Sequence, residues 1–186
     1  MILSLLFQVF SLLNAQDVKQ HSVTLIPYPV TLVEGEGAFV FTEKTVVALE
    51  DKELEPVARD FVGLFTEPAG FTPKLKVKSK KGEVCLMKDD SFQEEGYALE
   101  VTPEKIVVKA ASVKGAFYAL QTLRQLLPSA IEGGEYKADV IWEVPSVRVT
   151  DEPRFGYRGL MVDVARYFIT KEHLMRIIDT MGMLKL

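Results

Sequence analysis

Residues Pro153 to Phe168 constrain the fold more than any other stretch. An unbroken apolar run, Leu160-Met161-Val162, has charge at both ends, Arg158 before it and Asp163 and Arg166 after it. Unbroken runs of this kind belong to parallel strands buried on both faces. Thr170 stands where a helix cap is expected, and Leu174, Ile177, Ile178, Met181 and Leu184 then fall on one helical face. Strand, loop and helix make one unit of a βα barrel or a doubly wound sheet. A complete (β/α)8 barrel takes ~250 residues, so residues 151–186 hold only its first strand and helix.

The chain ahead of this unit reads as a separate α+β domain, residues 22–150. Val23 to Ile26 leads into Pro27-Tyr28-Pro29, where two prolines force an extended path. Strands are predicted at Phe39–Phe41, Thr45–Leu49, Leu75–Lys78, Val84–Met87, Tyr97–Thr102 and Ile106–Ala110. The last two form a hairpin around Thr102-Pro103-Glu104-Lys105, with proline presetting the turn. Glu53 to Phe65 carries a helical stripe that ends at Pro68 and Gly70. Ser112 caps a second helix, with Val113, Ala116, Phe117, Leu120, Leu123 and Leu127 on one face and Pro128 beyond its end. Gly115 inside that helix implies a close approach of helix to sheet. The predicted architecture is a mostly antiparallel sheet with two helices on one face. Gly133-Gly134 and the proline-bearing segment Val144 to Pro153 mark the exit from it.

Composition excludes several functions. The 186 residues are 48% apolar and 26% charged, as in a globular protein. A net charge of −4 without a basic block leaves no footprint for nucleic acid. Lys74, Lys76, Lys78, Lys80 and Lys81 alternate with Leu75 and Val77, which reads as a strand with a solvated lysine face. Cys85 is alone in an apolar run and reads as a core residue. With only His21 and His173 beside it, neither a metal site nor a cofactor is expected. Residues 1–15 read as a cleaved signal peptide. The apolar run Ile2–Leu13 is too short to anchor in a bilayer, and Leu13-Asn14-Ala15 offers a cleavage site, although the usual basic residue near the start is missing. No later stretch is long and apolar enough to span a membrane. Secretion with a single cysteine suits a bacterial periplasm or cell surface.

Three segments carry a resemblance to a known family. Ile26-Pro27-Tyr28-Pro29-Val30 opens the domain, Gly96–Leu99 and Gly115–Leu127 form its hairpin and helix, and Tyr157–Arg166 is the strand unit. In order and spacing these resemble the family 20 glycoside hydrolases, the β-N-acetylhexosaminidases, from about residue 22 to residue 186. The resemblance implies an exo-acting hydrolase that removes terminal N-acetylglucosamine or N-acetylgalactosamine from oligosaccharides or glycoconjugates. It implies a retaining, substrate-assisted mechanism in which the acetamido oxygen is the nucleophile. A glutamic acid protonates the leaving oxygen and an adjacent aspartate holds the acetamido group, both from a later barrel strand.

No catalytic acid is therefore assigned to this chain, which is expected to be inactive alone. Asp89-Asp90, Glu94-Glu95 and Asp151-Glu152 all precede the barrel, and the last reads as a solvated turn. The resemblance gives Arg158 to the hydroxyls of the terminal sugar. Barrel sites, however, lie at the carboxyl ends of strands, which favours Asp163 to Arg166; an Arg158 that anchors the linker is the alternative. Asp163 and Arg166 read as a mutual brace or as the rim of the sugar site. Tyr167 stands where the family usually has histidine, and Trp142 precedes the barrel whose later strands supply the sugar's tryptophan wall. A stand-alone carbohydrate-binding or scaffold domain is the other reading, since similar domains precede other glycosidase barrels, such as those of family 84.

Overall fold

The structure, a computed structural model, describes residues 23–186. The signal peptide expected at residues 1–15 lies outside the described residues. The strands are β1 (Thr31–Val40), β2 (Val46–Leu49), β3 (Lys74–Val77), β4 (Val84–Lys88), β5 (Tyr97–Val101), β6 (Ile106–Ala110) and β7 (Glu143–Asp151). The helices are α1 (Glu55–Gly63), α2 (Thr66–Ala69), α3 (Val113–Leu126) and α4 (Lys171–Met183). All the strands belong to one sheet in the order β1-β7-β5-β6-β4-β2-β3.

The sheet is mixed, not mostly antiparallel. β1–β7, β7–β5 and β5–β6 are antiparallel, whereas β2–β3, β2–β4 and β4–β6 are parallel. The predicted hairpin is present, with its turn closed between Thr102 and Lys105 at 2.9 Å. The other half of the sheet departs from hairpin logic because crossovers join its strands. Helices α1 and α2 carry the chain from β2 back to the start of β3. Residues 78–83 then cross the outer face of β2 to enter β4. A Cβ on Gly82 would stand 2.5 Å from the Val46 carbonyl, so this crossing needs glycine. The crossing covers Ala48 and Cys85, and the Cys85 thiol donates to the carbonyls of Lys80 and Gly82. The cysteine is buried, as its apolar run implies.

The opposite face carries the core. Along β5, Tyr97, Leu99 and Val101 are buried beneath the helices, with Ala98 and Glu100 on the other side. Ser112 caps α3, its Oγ accepting from Lys114 N at 3.0 Å and from Gly115 N at 3.5 Å. The approach inferred from Gly115 is real: a Cβ there would lie 2.4 Å from the Gly96 carbonyl. The α1 stripe delivers Ala58, Phe61 and Val62, and Phe65 follows. Phe65 packs on Phe41 and Trp142, with ring centroids at 4.8 and 6.1 Å. Trp142 is thus core. Strand β3 is one edge, with Lys74 and Lys76 exposed, the arrangement that keeps an edge from pairing further.

Two further expectations fail. The segment read as the exit from the domain is β7, paired between β1 and β5. Pro145 disguises it. The β1–β7 register shifts between Glu34 and Ala38, Pro145 opposes Ala38, and β5 pairs only with Val147–Asp151. The missing proline N–H therefore faces no β5 partner. The second failure is the strand at Leu160–Val162. These residues form no strand, and Met161 is 93% exposed. A buried parallel strand takes its ladder from a neighbour on each side, and no strand among the described residues reaches this one. Helix α4 does form, with Thr170 Oγ1 accepting from His173 N at 3.2 Å.

Candidate active-site region at the domain junction

Arg158 and Lys185 reach the sheet domain from the segment after β7, around a cavity of about 390 Å³ lined by Glu95, Tyr97, Tyr118, Asp151, Arg158 and Lys185. Each arrives from a different element. Glu95 lies in the loop before β5, Tyr97 starts β5, Tyr118 projects from α3, and Asp151 ends β7. Arg158 precedes the apolar run, and Lys185 follows α4.

Arg158 is committed to protein partners. Its Nε donates to the Lys185 carbonyl at 2.9 Å and its Nη1 to the Phe155 carbonyl. Its Nη2 donates to Glu95 Oε2 at 3.0 Å and to Tyr118 Oη at 2.9 Å. The guanidinium lies 5.6 Å from the centre of the Tyr118 ring. A guanidinium has five N–H groups, so these bonds leave one for anything else. Burial pulls its pKa down, but the bonds to Glu95 and Tyr118 hold it above its ordinary value. The resemblance gives this same guanidinium to the hydroxyls of the terminal sugar.

Lys185 forms the second cluster. Its Nζ donates to Tyr97 Oη at 2.7 Å and to Asp151 Oδ2 at 2.9 Å. Tyr97 Oη also donates to Asp151 at 3.1 Å and lies 2.6 Å from Thr122 Oγ1. Burial lowers the Lys185 pKa against the pull of Asp151. Burial, and then the charge of Asp151, push the Tyr97 hydroxyl well above its ordinary range. Asp151 is therefore no solvated turn; its side chain is 12% exposed.

Asp163 and Arg166 stand apart from this cavity. Arg166 Nε lies 3.2 Å from Asp163 Oδ2, and Asp163 Oδ1 accepts from the amides of Ala165 and Arg166. The Arg166 side chain is 84% exposed, and Tyr167 and Phe168 beside it are bare. Four carboxylates of the sequence's acidic pairs, Asp89, Glu94, Glu95 and Asp151, are engaged by protein partners. Asp89 caps a turn at Ser91, whose bonds lower its pKa, while Glu94 pairs with Lys114 and Glu95 with Arg158. Among the described residues no group of three metal-ligating side chains converges.

Sequence reasoning missed Tyr97, Tyr118 and Lys185 as members of this junction. Tyr97 and Tyr118 sat inside periodic elements, where apolar spacing explains an aromatic without a polar role. Lys185 lies 88 positions from Tyr97, beyond the reach of any local pattern.

Known proteins match along both parts. The model of glycosyl hydrolase family 20, domain 2, matches residues 22–152, and that of the family's catalytic domain matches residues 155–186. A β-hexosaminidase of Porphyromonas gingivalis is 33% identical over 168 residues, covering 88% of this chain and 22% of its own length. A β-N-acetylhexosaminidase of Cellulomonas fimi is 32% identical over 175 residues, covering 88% and 33%. The N-acetyl-β-hexosaminidase of Streptomyces plicatus superposes with a TM-score of 0.80 at 28% identity, over 87% of this chain and 32% of that one. The chain thus spans a fifth to a third of the length of these relatives. The sheet domain and the strand–helix unit match successive parts of one family's architecture, and the chain belongs to glycosyl hydrolase family 20.

Proposed function

We propose that this chain is the N-terminal part of a secreted or periplasmic β-N-acetylhexosaminidase. In this reading the whole enzyme removes terminal N-acetylglucosamine or N-acetylgalactosamine from glycans with retention, using the substrate's acetamido oxygen as nucleophile. The observation that carries it is the succession of the two family matches, domain 2 and then the start of the catalytic domain. The acid and the aspartate that holds the acetamido group come from a later strand, so the 186 residues alone do not turn over substrate.

The sugar's hydroxyls fall to Arg158, the arginine to which the family resemblance gives them, with Asp163 and Arg166 as the rim of the site or as a mutual brace. Barrel sites lie at the carboxyl ends of strands, and Asp163 to Arg166 occupy that end of the Leu160–Val162 run. A stand-alone binding or scaffold domain fits less well, because Tyr157, Met161, Tyr167 and Phe168 are each more than four-fifths exposed. Such a strip needs a cover. Reading the source locus past codon 186 tests the proposal. An in-frame continuation with an adjacent Asp-Glu pair supports it, and a stop codon with no barrel sequence beyond contradicts it.

A further inference from the structure

We propose that the lysine-bearing edge of the sheet, β3 with the crossing at residues 78–83, is a docking track for an anionic glycan, one that carries sulfate or carboxylate groups along its length. Five of the chain's 22 basic residues, Lys74, Lys76, Lys78, Lys80 and Lys81, fall within eight positions of a chain whose net charge is −4. Lys74 and Lys76 are two residues apart and share one face of β3. Their register partners on β2 are Val46 and Ala48, and Ala48 lies on the face away from the helices. Residues 78–83 cross that same face, with Lys78, Lys80 and Lys81 exposed. All five lysines therefore occupy one corner of the outer surface.

The fold leaves most of this charge unused. Lys80 pairs with Glu50 at 2.6 Å. Among the described residues Lys74, Lys76, Lys78 and Lys81 have no acidic partner. The Glu83 carboxylate, at the end of the crossing, accepts instead from Val46 N at 2.8 Å. Protection of an edge accounts for Lys74 and Lys76, but not for lysines on a crossing that lies over the sheet. Nor does the backbone call for them. Lys78 has φ 56°, a left-handed conformation that glycine takes without strain. The chain beneath the lysines is held in place. Ser79 N donates to the Leu49 carbonyl at 2.8 Å, Lys81 N to Ser79 Oγ at 3.1 Å, and the Cys85 thiol to the carbonyls of Lys80 and Gly82. Ammonium groups on a fixed backbone bind with less ordering cost. Charge complementarity sets the sign of the ligand, and the side chains around the lysines set its class. A nucleic acid strand is held by aromatic faces that stack its bases, and a bilayer by apolar side chains that insert. Between residues 74 and 83 the one large apolar side chain that is exposed is Val77, at 37%. Sulfates and carboxylates need only ammonium groups, which act as point charges. The choice of a glycan among polyanions rests on the hexosaminidase reading.

Fluorescence anisotropy of a labelled heparin oligosaccharide with the whole chain, at ~0.15 M salt, tests the track. One variant carries Lys74→Gln, Lys76→Gln, Lys78→Gly and Lys81→Gln. A control with the same change of charge carries Lys52→Gln, Lys105→Gln, Lys109→Gln and Lys171→Gln. Every replaced side chain is exposed, so both variants keep the fold, which thermal unfolding checks. The expected result is binding that weakens at least ~10-fold in the first variant, stays within ~2-fold of wild type in the control, and falls as salt rises. Equal weakening in the two variants overturns the track, since net charge alone would then govern binding. Absence of binding by the wild type overturns it as well. Single-stranded DNA or phosphatidylglycerol vesicles bound as tightly as the oligosaccharide, and lost in the first variant, overturn the glycan and give the patch to nucleic acid or to a membrane. The test needs no turnover, so its failure is separate from a failure of the hexosaminidase reading.

Discussion

Tyr97 shows how much one side chain can carry at this junction. It is 1% exposed, starts the central hairpin, and presents its hydroxyl to Thr122, Asp151 and Lys185. Burial and the nearby carboxylate raise its pKa from the ordinary 10.0, so the folded state keeps a proton that the unfolded chain loses above about pH 10. Its contribution to stability is complete below that pH and is lost as the pH climbs further. Lys185 works in the opposite sense, because burial lowers its pKa from 10.5 and its desolvation cost is relieved as the pH approaches that value. A difference measurement separates the two. In a spectrophotometric titration of the phenolates, the Tyr97 ionisation is expected only with unfolding, and Tyr97→Phe removes that late step; a Tyr97 that titrates with the exposed tyrosines contradicts the assignment. Gly115→Ala is a second residue-scale test. Helix propensity favours alanine by up to about 1 kcal/mol, but a contact of 2.4 Å with the Gly96 carbonyl has no flexible partner to yield. Overpacking costs about 1–3 kcal/mol, so thermal denaturation should show a lower Tm for the variant.

The elements divide by how local their causes are. The β5–β6 hairpin, the two packed helices, the lysine-faced edge and both serine or threonine caps were legible because neighbours in sequence make them. Ser112→Ala removes one such cap and is expected to cost about 1 kcal/mol, read as a shift in the denaturation midpoint; its Oγ also donates to the Glu94 carbonyl at 2.6 Å, so no change at all would contradict the role given to it. The parallel half of the sheet was not legible. Its pairings depend on a helical crossover and on a loop crossing that Gly82 permits, and neither leaves a periodic trace. Strand β7 was hidden by Pro145, which is tolerated only because one side of the strand is unpaired there. The run Leu160–Val162 was read correctly as apolar and unbroken, but a ladder belongs to pairs of strands and cannot be read from one. The site divides in the same way. Asp163 and Arg166 were visible as a pair three residues apart, and the structure brings them to 3.2 Å. The partners of Arg158 were not, since Glu95 and Tyr118 lie 63 and 40 positions away.

At the scale of the molecule, a folded sheet domain holds a strand–helix unit whose apolar face is open. A strip from Phe155 to Phe168 is exposed, and Leu160, His173, Ile177 and Met181 line a second hollow of about 370 Å³ on α4. Among the described residues no helix is long and apolar enough to cross a membrane. In the proposed enzyme the later barrel strands cover this face and bring the acid to the sugar held at Arg158. The most direct measurement is release of p-nitrophenol from an aryl N-acetyl-β-glucosaminide, by the 186-residue chain and by the polypeptide of the complete reading frame side by side. Turnover by the longer polypeptide alone is the predicted result. Turnover by the 186 residues above a heat-killed control, or none by the longer polypeptide, would contradict it.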